Sequence, residues 1–329
     1  MTMKTKVFMA GIMLACTSIT AQAQDTKTDE PKGKAIIQVF GNFHSGFGAD
    51  NNDRGFELER SYLGYQQSVS KNLEFKAVMD VGKSNNVNDL QRIAYIKNAQ
   101  VKWKTGNLTL NGGLISTTSF KVQEDFWGYR YIKMVLQDYY KFASSADLGL
   151  SATYKFTNWI SADAIVVNGE GYKKLQKNDG LQYGLGTTIS PIKELTLRFY
   201  GSINEKPENS LENSNIYAAF IGYKCEMFSI GTEYNRIENM NNIKNQNLDG
   251  ISIYTTIKLK KTLNSFLRFD NLWSKNNWNI NKDETTYMAG IEYRPCKHVR
   301  IAPNLRYNQI KDDTVKDKYM AYINCYFGF

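Results

Sequence analysis

Charged side chains recur at alternate positions along many segments of this chain. Arg300 and Arg306, for example, share one side of a stretch whose other side carries Val299, Ile301 and Leu305. The same alternation, followed through the sequence, collects twelve basic and seven acidic positions on one face. A surplus of positive charge breaks no bonds, but it attracts anions. The twelve basic positions are Arg60, Lys76, Arg92, Lys102, Lys155, Arg198, Lys224, Lys258, Arg268, Arg294, Arg300 and Arg306.

Covalent catalysis finds less support in the residue types. A hydrolase needs a Ser or Cys beside a general base, and the only two histidines, His44 and His298, are far apart in the chain. No carboxylate pair of the glycosidase type stands out from the other charges. We therefore expect no metal site and no cofactor, and an enzyme is the least favoured alternative.

The elements that must position these charges are β-strands. Strict alternation of apolar and polar residues is typical of strands whose two faces meet different surroundings. From position 35 to the end, the chain divides into sixteen such segments, the first at 35–49 and the last at 316–329. Short connections alternate with longer polar ones. An even number of strands joined in this way is typical of bacterial outer-membrane barrels.

The composition agrees with a barrel in lipid. After the first two dozen residues no stretch stays apolar for the roughly 18 residues that a membrane helix needs. Lipid offers no hydrogen-bond partners, so every backbone group of a spanning segment must be paired within the protein. A sheet meets this condition only if it closes on itself. The chain carries 21 Tyr, 17 Phe and 5 Trp, residues that collect at the two membrane interfaces. The predicted fold is an all-β, 16-stranded antiparallel transmembrane β-barrel in the outer membrane of a Gram-negative bacterium.

The amino terminus has the features of an export signal. Lys4 and Lys6 precede an apolar run, and Ala21-Gln22-Ala23 is a cleavage site of small residues. We predict a signal peptide over 1–23, a flexible periplasmic lead over 24–34 and the barrel over 35–329. A lipoprotein signal acylated at Cys16 is the alternative. For an exported chain we expect outer-membrane lipids as partners and no nucleic acid.

The number of strands also suggests a function. Barrels of 16–18 strands leave an aqueous channel, so we predict a porin that lets small hydrophilic solutes diffuse passively. The longest connection, 117–142, is too rich in aromatic and aliphatic residues for a solvated loop. We expect it to fold into the lumen, with helical structure near 131–140. The charges it would present to solutes are those of Glu124, Asp125, Arg130, Lys133 and Asp138.

Two alternatives stay open for this third long loop. It could instead form an extracellular flap or a contact between neighbouring barrels. It could also fill the channel, in which case the protein would be a plugged barrel with a structural or interaction role.

The basic surplus predicts a modest preference for anions, because rings of one charge select ions by sign. The alternative is that many of these charges pair across strands and brace the wall, as Arg268 could do with Asp270. The residues predicted to line the pore are Arg60, Lys76, Arg92, Arg198, Arg268, Arg294, Arg300 and Arg306.

Several stretches resemble the phosphate-selective porin O/P family, in particular its relatives in Bacteroidota. These stretches are FELERSYLGY (56–65), AVMDVG (77–82), AYIKNAQVKW (94–103) and NGEGYKK (168–174). The resemblance implies a 16-stranded porin, usually a homotrimer, with an inward third loop, a basic lumen and small anionic solutes, phosphate among them. Arg60 fits the family's pattern, whereas Glu59 stands where a second basic residue is common.

Overall fold

The computed structural model describes residues 33–48, 53–83, 92–176, 179–208 and 211–329. The predicted signal peptide, and all of the predicted lead except its last two residues, lie outside the described residues. Gly33 and Lys34, the end of that lead, already belong to the first strand.

Sixteen antiparallel strands form one closed barrel, as predicted. Each strand pairs with its neighbours in the sequence, and the first pairs with the last. The strands are β1 Gly33–Phe47, β2 Arg54–Ser68, β3 Leu73–Lys83, β4 Arg92–Thr105, β5 Leu108–Ser116, β6 Ala146–Lys155, β7 Ile160–Val167, β8 Gln182–Ile189, β9 Leu195–Asn204, β10 Ser214–Lys224, β11 Phe228–Glu238, β12 Leu248–Lys260, β13 Leu263–Ser274, β14 Glu284–Cys296, β15 Val299–Ile310 and β16 Lys318–Gly328.

The alternation seen in the sequence is the alternation of inner and outer faces. In β16, Ile323 and Phe327 are 44% and 50% exposed on the outside, whereas Met320 and Asn324 are buried in the interior. Lipid accepts the exposed apolar side chains, and the interior takes the polar ones. No helix in the described ranges is long and apolar enough to cross a membrane.

The connections are short at one rim and long at the other. At the short rim, the turns after β4, β12 and β14 each leave only two residues between strands, at 106–107, 261–262 and 297–298. Short turns face the periplasm in barrels of this kind. We therefore call this rim the periplasmic rim and the opposite one the extracellular rim.

Four pairs of the described strands show a register shift. The shifts in β2 and β4 bear on the lumen, and each is a β-bulge, which is an extra residue that displaces the pairing by one. In β2 the register with β1 shifts beside Arg60, and Glu59 is the extra residue. In β4 the register with β3 passes from Asn98 to Ile96, and Lys97 is the extra residue. Both extra side chains reach lumen groups, since Glu59 accepts a hydrogen bond from Asn42 and Lys97 donates one to Tyr62.

The bulge in β4 corrects the prediction for Arg92. A one-residue shift moves every later or earlier side chain of a strand to the other face. Before the bulge, Tyr95 points to Tyr172 in the interior, so Ile96 and Arg92 share the outer face. Arg92 is exposed at the extracellular end of β4 and does not line the lumen.

The third long connection, residues 117–145, folds into the barrel as predicted. It contains two helices, α1 Lys121–Trp127 and α2 Leu136–Tyr139. The second lies where helical structure was expected, while the first was not predicted. Apolar side chains of this inward loop form a hydrophobic cluster with residues of the wall, including Phe220, Tyr254 and Phe266.

Candidate functional site

The inward loop is fixed to the wall formed by β11–β16. Tyr131 donates a hydrogen bond from its hydroxyl to Glu292 Oε1 over 2.8 Å, and Gln137 donates to Asn235 over 2.8 Å. The Arg306 guanidinium donates from Nη2 to the carbonyl of Ile132 over 2.8 Å. Burial, the nearby Glu292 carboxylate and this hydrogen bond raise the pKa of Tyr131, so its hydroxyl remains a donor.

A buried ion cluster lies beneath the loop. Lys133 Nζ is 2.9 Å from Asp270 Oδ2, and Arg268 Nε is 2.8 Å from Asp270 Oδ1. All three side chains are at most 2% exposed. Burial lowers the pKa of Lys133, although the neighbouring Asp270 carboxylate acts in the opposite direction. Lys133 and Arg268 were predicted to face permeating solutes, but both side chains are buried between the loop and the wall. Trp127 of the loop lies 5.1 Å from the Arg268 guanidinium and covers it.

Arg198 also holds the loop in place and does not face the channel. Its side chain is 1% exposed and forms an ion pair with Asp163. Its Nη2 donates to the carbonyl of Thr118, at the start of the loop, over 2.8 Å. Arg198, Arg268 and Arg306 are thus bracing residues, which is the alternative that the sequence left open.

The two remaining arginines of β14 and β15 gather around one carboxylate. Arg294 pairs with Glu292, and Arg300 Nη1 lies 4.0 Å from the same carboxylate. The Arg300 guanidinium also lies 4.9 Å from the ring centre of Tyr326. Glu292 itself is buried and bonded to the loop through Tyr131, so this pair too is tied to the seating of the loop.

Two cavities lie alongside the loop. The first, of about 680 Å³, opens near the periplasmic rim, where Lys34, Lys297 and His298 line it. The second, of about 470 Å³, lies towards the extracellular rim and is lined by Arg60 and Lys173 among others. Both cavities are lined by Arg130 and Ser145 of the loop. These residues therefore lie where the two cavities adjoin, and we call this part of the lumen the constriction.

Three cations converge on one hydroxyl at this constriction. Tyr62 Oη accepts hydrogen bonds from Arg60 Nη1 at 3.0 Å, Lys97 Nζ at 3.0 Å and Arg130 Nε at 3.3 Å. The Lys97 ammonium also lies 4.4 Å from the centre of the Tyr62 ring. We call Arg60, Lys97 and Arg130 the cationic cluster. Among the predicted site residues, Arg60 and Arg130 belong to it.

Carboxylates balance two members of the cationic cluster. Arg130 pairs with Glu124 and Asp138 of the loop, and Arg60 Nε lies 3.2 Å from Asp80 Oδ1. Although burial opposes it, the Arg130 guanidinium holds the pKa of Asp138 below its usual range. Within the described ranges Lys97 forms no ion pair with a carboxylate, so its charge is available to a solute.

The other predicted charges are spread more widely. Asp125 is exposed on α1 and pairs with Lys121. Lys76 lines the periplasmic cavity and forms no ion pair in the described part of the chain. Among the described residues, the hydrogen-bond partners of His44 are Asn42 and Asp53, and that of His298 is the carbonyl of Gly328, so neither histidine is bonded to a Ser or Cys. The described residues include no cluster of three or more potential metal ligands among His, Cys, Asp and Glu.

Lys97 was not among the predicted site residues, because strict alternation assigns it to the lipid face. A lysine at the middle of a lipid-facing strand costs about 2–4 kcal/mol. That cost could have indicated the true position of Lys97, because a bulge that turns the ammonium into the lumen avoids the cost. Tyr62 was missed for a different reason, as a tyrosine on a strand has no feature that distinguishes a constriction from a wall.

The closed sixteen-stranded barrel with its inward loop is that of an outer-membrane porin. The family described as beta-barrel porin-2, OmpL-like (BBP2) matches residues 144–321, more than half of the chain. The protein therefore belongs to this family, and its location is the outer membrane of a Gram-negative bacterium. No curated protein matches it.

Solved structures show the same fold at low sequence identity. Outer-membrane expressed OmpT of Vibrio cholerae is 15% identical, with a TM-score of 0.66 over 93% of this chain and 100% of that one. An anion-selective porin from Comamonas acidovorans is 11% identical, with a TM-score of 0.67 over 91% and 100%. Salmonella typhi OmpF, in complex with daunomycin, is 10% identical, with a TM-score of 0.69 over 93% and 100%.

Proposed function

We propose that the protein is a porin through which small hydrophilic solutes diffuse passively, with a preference for anions. The observation that carries the proposal is the cationic cluster at the constriction. Lys97 forms no ion pair with the described carboxylates, and it lies 3.0 Å from a hydroxyl that two arginines also approach. An anion that reaches this point gains Coulomb energy that a cation loses.

The surroundings of the constriction support the same sign of selectivity. Without the two lysines of the predicted signal peptide, the chain keeps 39 basic and 32 acidic residues, a formal net charge of +7. The basic residues that line the periplasmic cavity are Lys34, Lys76, Lys97, Lys121, Arg130 and Lys297, and among the described residues of that lining Glu124 is the one acidic side chain. A cleft lined mostly by one sign of charge concentrates ions of the opposite sign.

Phosphate is one anion that we propose to test, because of the resemblance to phosphate-selective porins. The same resemblance leads us to propose a homotrimer. Inorganic phosphate and the oligomeric state can be examined on the same purified protein, so neither needs a separate preparation.

The test is single-channel recording in planar bilayers, with the reversal potential measured under a KCl gradient. We expect discrete conductance steps and a reversal potential of anion-selective sign. A unit charge about 5 Å from a passing ion contributes about 1 kcal/mol in a water-like dielectric. Lys97→Gln should therefore lower the local anion concentration about five-fold and shift the reversal potential towards cations. A cation-selective wild type would overturn the anion preference and leave the channel itself in place.

A plugged barrel with an interaction role is the second candidate, and the seating of the loop favours it. Both its apolar cluster and its buried ion pair hold the loop across the lumen. Folded barrels that give no conductance steps would support this candidate and exclude the porin function.

A further inference from the structure

We infer that the preferred solutes are carboxylates with an apolar body, such as an aromatic ring, and that the periplasmic cavity holds them. The inference rests on the proposed function, which supplies the anion preference. It adds a substrate class that charge alone does not specify.

The periplasmic cavity has an apolar wall, although the lumen of such barrels is ordinarily polar. Ile36, Val78, Phe120 and Tyr326 line it. Val78 and Phe120 belong to the buried hydrophobic cluster, and Ile36 and Tyr326 pack at its edge, where they stay partly exposed. The hydrophobic cluster therefore reaches the surface inside this cavity.

The apolar wall is continuous across three strands. Ile36 pairs with Gly64, and Gly64 pairs with Val78. A Cβ added at Gly64 would lie 2.8 Å from Val78 Cγ2, so the valine side chain leans over the glycine. No side chain at position 64 separates Ile36 from Val78, and the two form one apolar surface.

Cations border this apolar surface in the same cavity. Lys76 occupies the inward position before Val78 in β3, and Lys97 lies 4.4 Å from the ring centre of Tyr62. Tyr62 itself is part of the hydrophobic cluster. A carboxylate bound between Lys97 and Arg130 would thus place its hydrocarbon body towards Ile36 and Tyr326.

The apolar wall and the cations together favour a solute that carries both a charge and an apolar body over solutes that carry only one of the two. An inorganic anion or acetate satisfies only the cations, and a neutral aromatic molecule satisfies only the apolar wall. A tenfold preference corresponds to about 1.4 kcal/mol, which is the contribution of about 55 Å² of buried apolar surface. One face of an aromatic ring on the wall supplies an area of that order. The cavity, at about 680 Å³, is within the range of small-molecule sites.

The experiment measures block of the KCl current by solutes added at the periplasmic rim. Benzoate is the probe, acetate is the matched anion without a ring, and benzyl alcohol is the matched ring without a charge. We expect the half-blocking concentration of benzoate to be about tenfold below that of acetate. Benzyl alcohol should not block at these concentrations.

Variants at position 36 assign the effect to the apolar wall. Ile36→Thr keeps the β-branched shape and should raise the half-blocking concentration of benzoate several-fold, with the acetate value and the reversal potential unchanged. Ile36→Leu keeps the apolar character and should behave like the wild type. Gln66→Asn, in the polar lining of the same cavity, is the control and should change neither value.

Each outcome decides one of the two proposals. Equal block by benzoate and acetate, or an unchanged benzoate value in Ile36→Thr, would overturn the inference while an anion-selective reversal potential keeps the proposed function. A cation-selective reversal potential would overturn the anion preference and, with it, the inference. Tenfold discrimination that is lost in Ile36→Thr and kept in Ile36→Leu would establish it.

Discussion

Asp270 is the residue whose replacement tests most directly how the loop is held in the lumen. Its side chain is fully buried, it accepts a hydrogen bond from Ser252 over 2.5 Å, and it pairs with both Arg268 and Lys133. Asp270→Asn keeps the volume and removes the charge. Lys133 and Arg268 would then be two buried cations that have lost the carboxylate they share.

The expected loss of stability in each variant depends on which charges remain paired after the substitution. Removing one partner of a buried ion pair costs about 3–5 kcal/mol, because the other charge is left uncompensated. Lys133→Met removes a different member of the same cluster. Asp270 then keeps Arg268 at 2.8 Å, and no charge is left alone, so we expect a cost of about 1 kcal/mol. Asp270→Asn should therefore be the more destabilising variant by at least about 2 kcal/mol.

The assay is unfolding by guanidinium in detergent micelles, followed by tryptophan fluorescence. Trp127 lies directly over Arg268, so its emission reports release of the loop as well as global unfolding. Asp125→Asn is the matched control, since this loop carboxylate is 64% exposed and its ion pair should contribute less than about 1 kcal/mol. Released loops should also give larger and noisier conductance steps in bilayers.

Two results would refute this reasoning. If Lys133→Met destabilised the protein as much as Asp270→Asn, the Lys133–Asp270 contact itself would be the main stabilising term. If Asp270→Asn cost no more than the Asp125→Asn control, the cluster would be open to water in solution and not buried as described.

The remaining predictions concern acid and the outer face of β4. The pKa of Asp138 is lowered from its ordinary 3.8, because Arg130 outweighs burial. The stabilisation is complete above pH 3.8 and is lost as the pH falls through the lowered pKa. Current noise from loop motion should therefore rise below pH 3.8; a rise at higher pH, or the same rise in Asp138→Asn, would assign it to another group. Arg92→Gln should leave the reversal potential in KCl unchanged, and a shift as large as that of Lys97→Gln would show that Arg92 does reach the passage.

The architecture was predictable because lipid and water impose a period of two on every strand. That constraint acts on each segment by itself, so the strand count, the antiparallel order and the inward third loop follow from local patterns. Ile323 and Phe327, for example, are lipid-facing for the same reason that they alternate with Asn324 in the sequence. The start of the barrel differed by only two residues.

The site was less predictable because it depends on contacts between distant residues. The alternation of inward and outward positions along a strand placed Arg268 on the lumen face. It contains no information about Trp127, which covers the guanidinium. The same alternation fails across a bulge. In β4 the bulge turns Lys97 into the lumen and Arg92 to the outer face, the reverse of what strict alternation predicts. The strand pattern thus predicts which charges point into the barrel. The position of the inward loop determines which of those charges a solute can contact.

The position of the loop's anchors has a consequence for biogenesis. The loop leaves the barrel between β5 and β6, yet several of the groups that hold it, among them Glu292, Arg306 and Asn324, belong to β14–β16. These partners are 161 to 193 residues further along the chain, and contacts of such separation form late. The loop therefore reaches its final place only once the last strands have formed, so the aperture is completed late in folding.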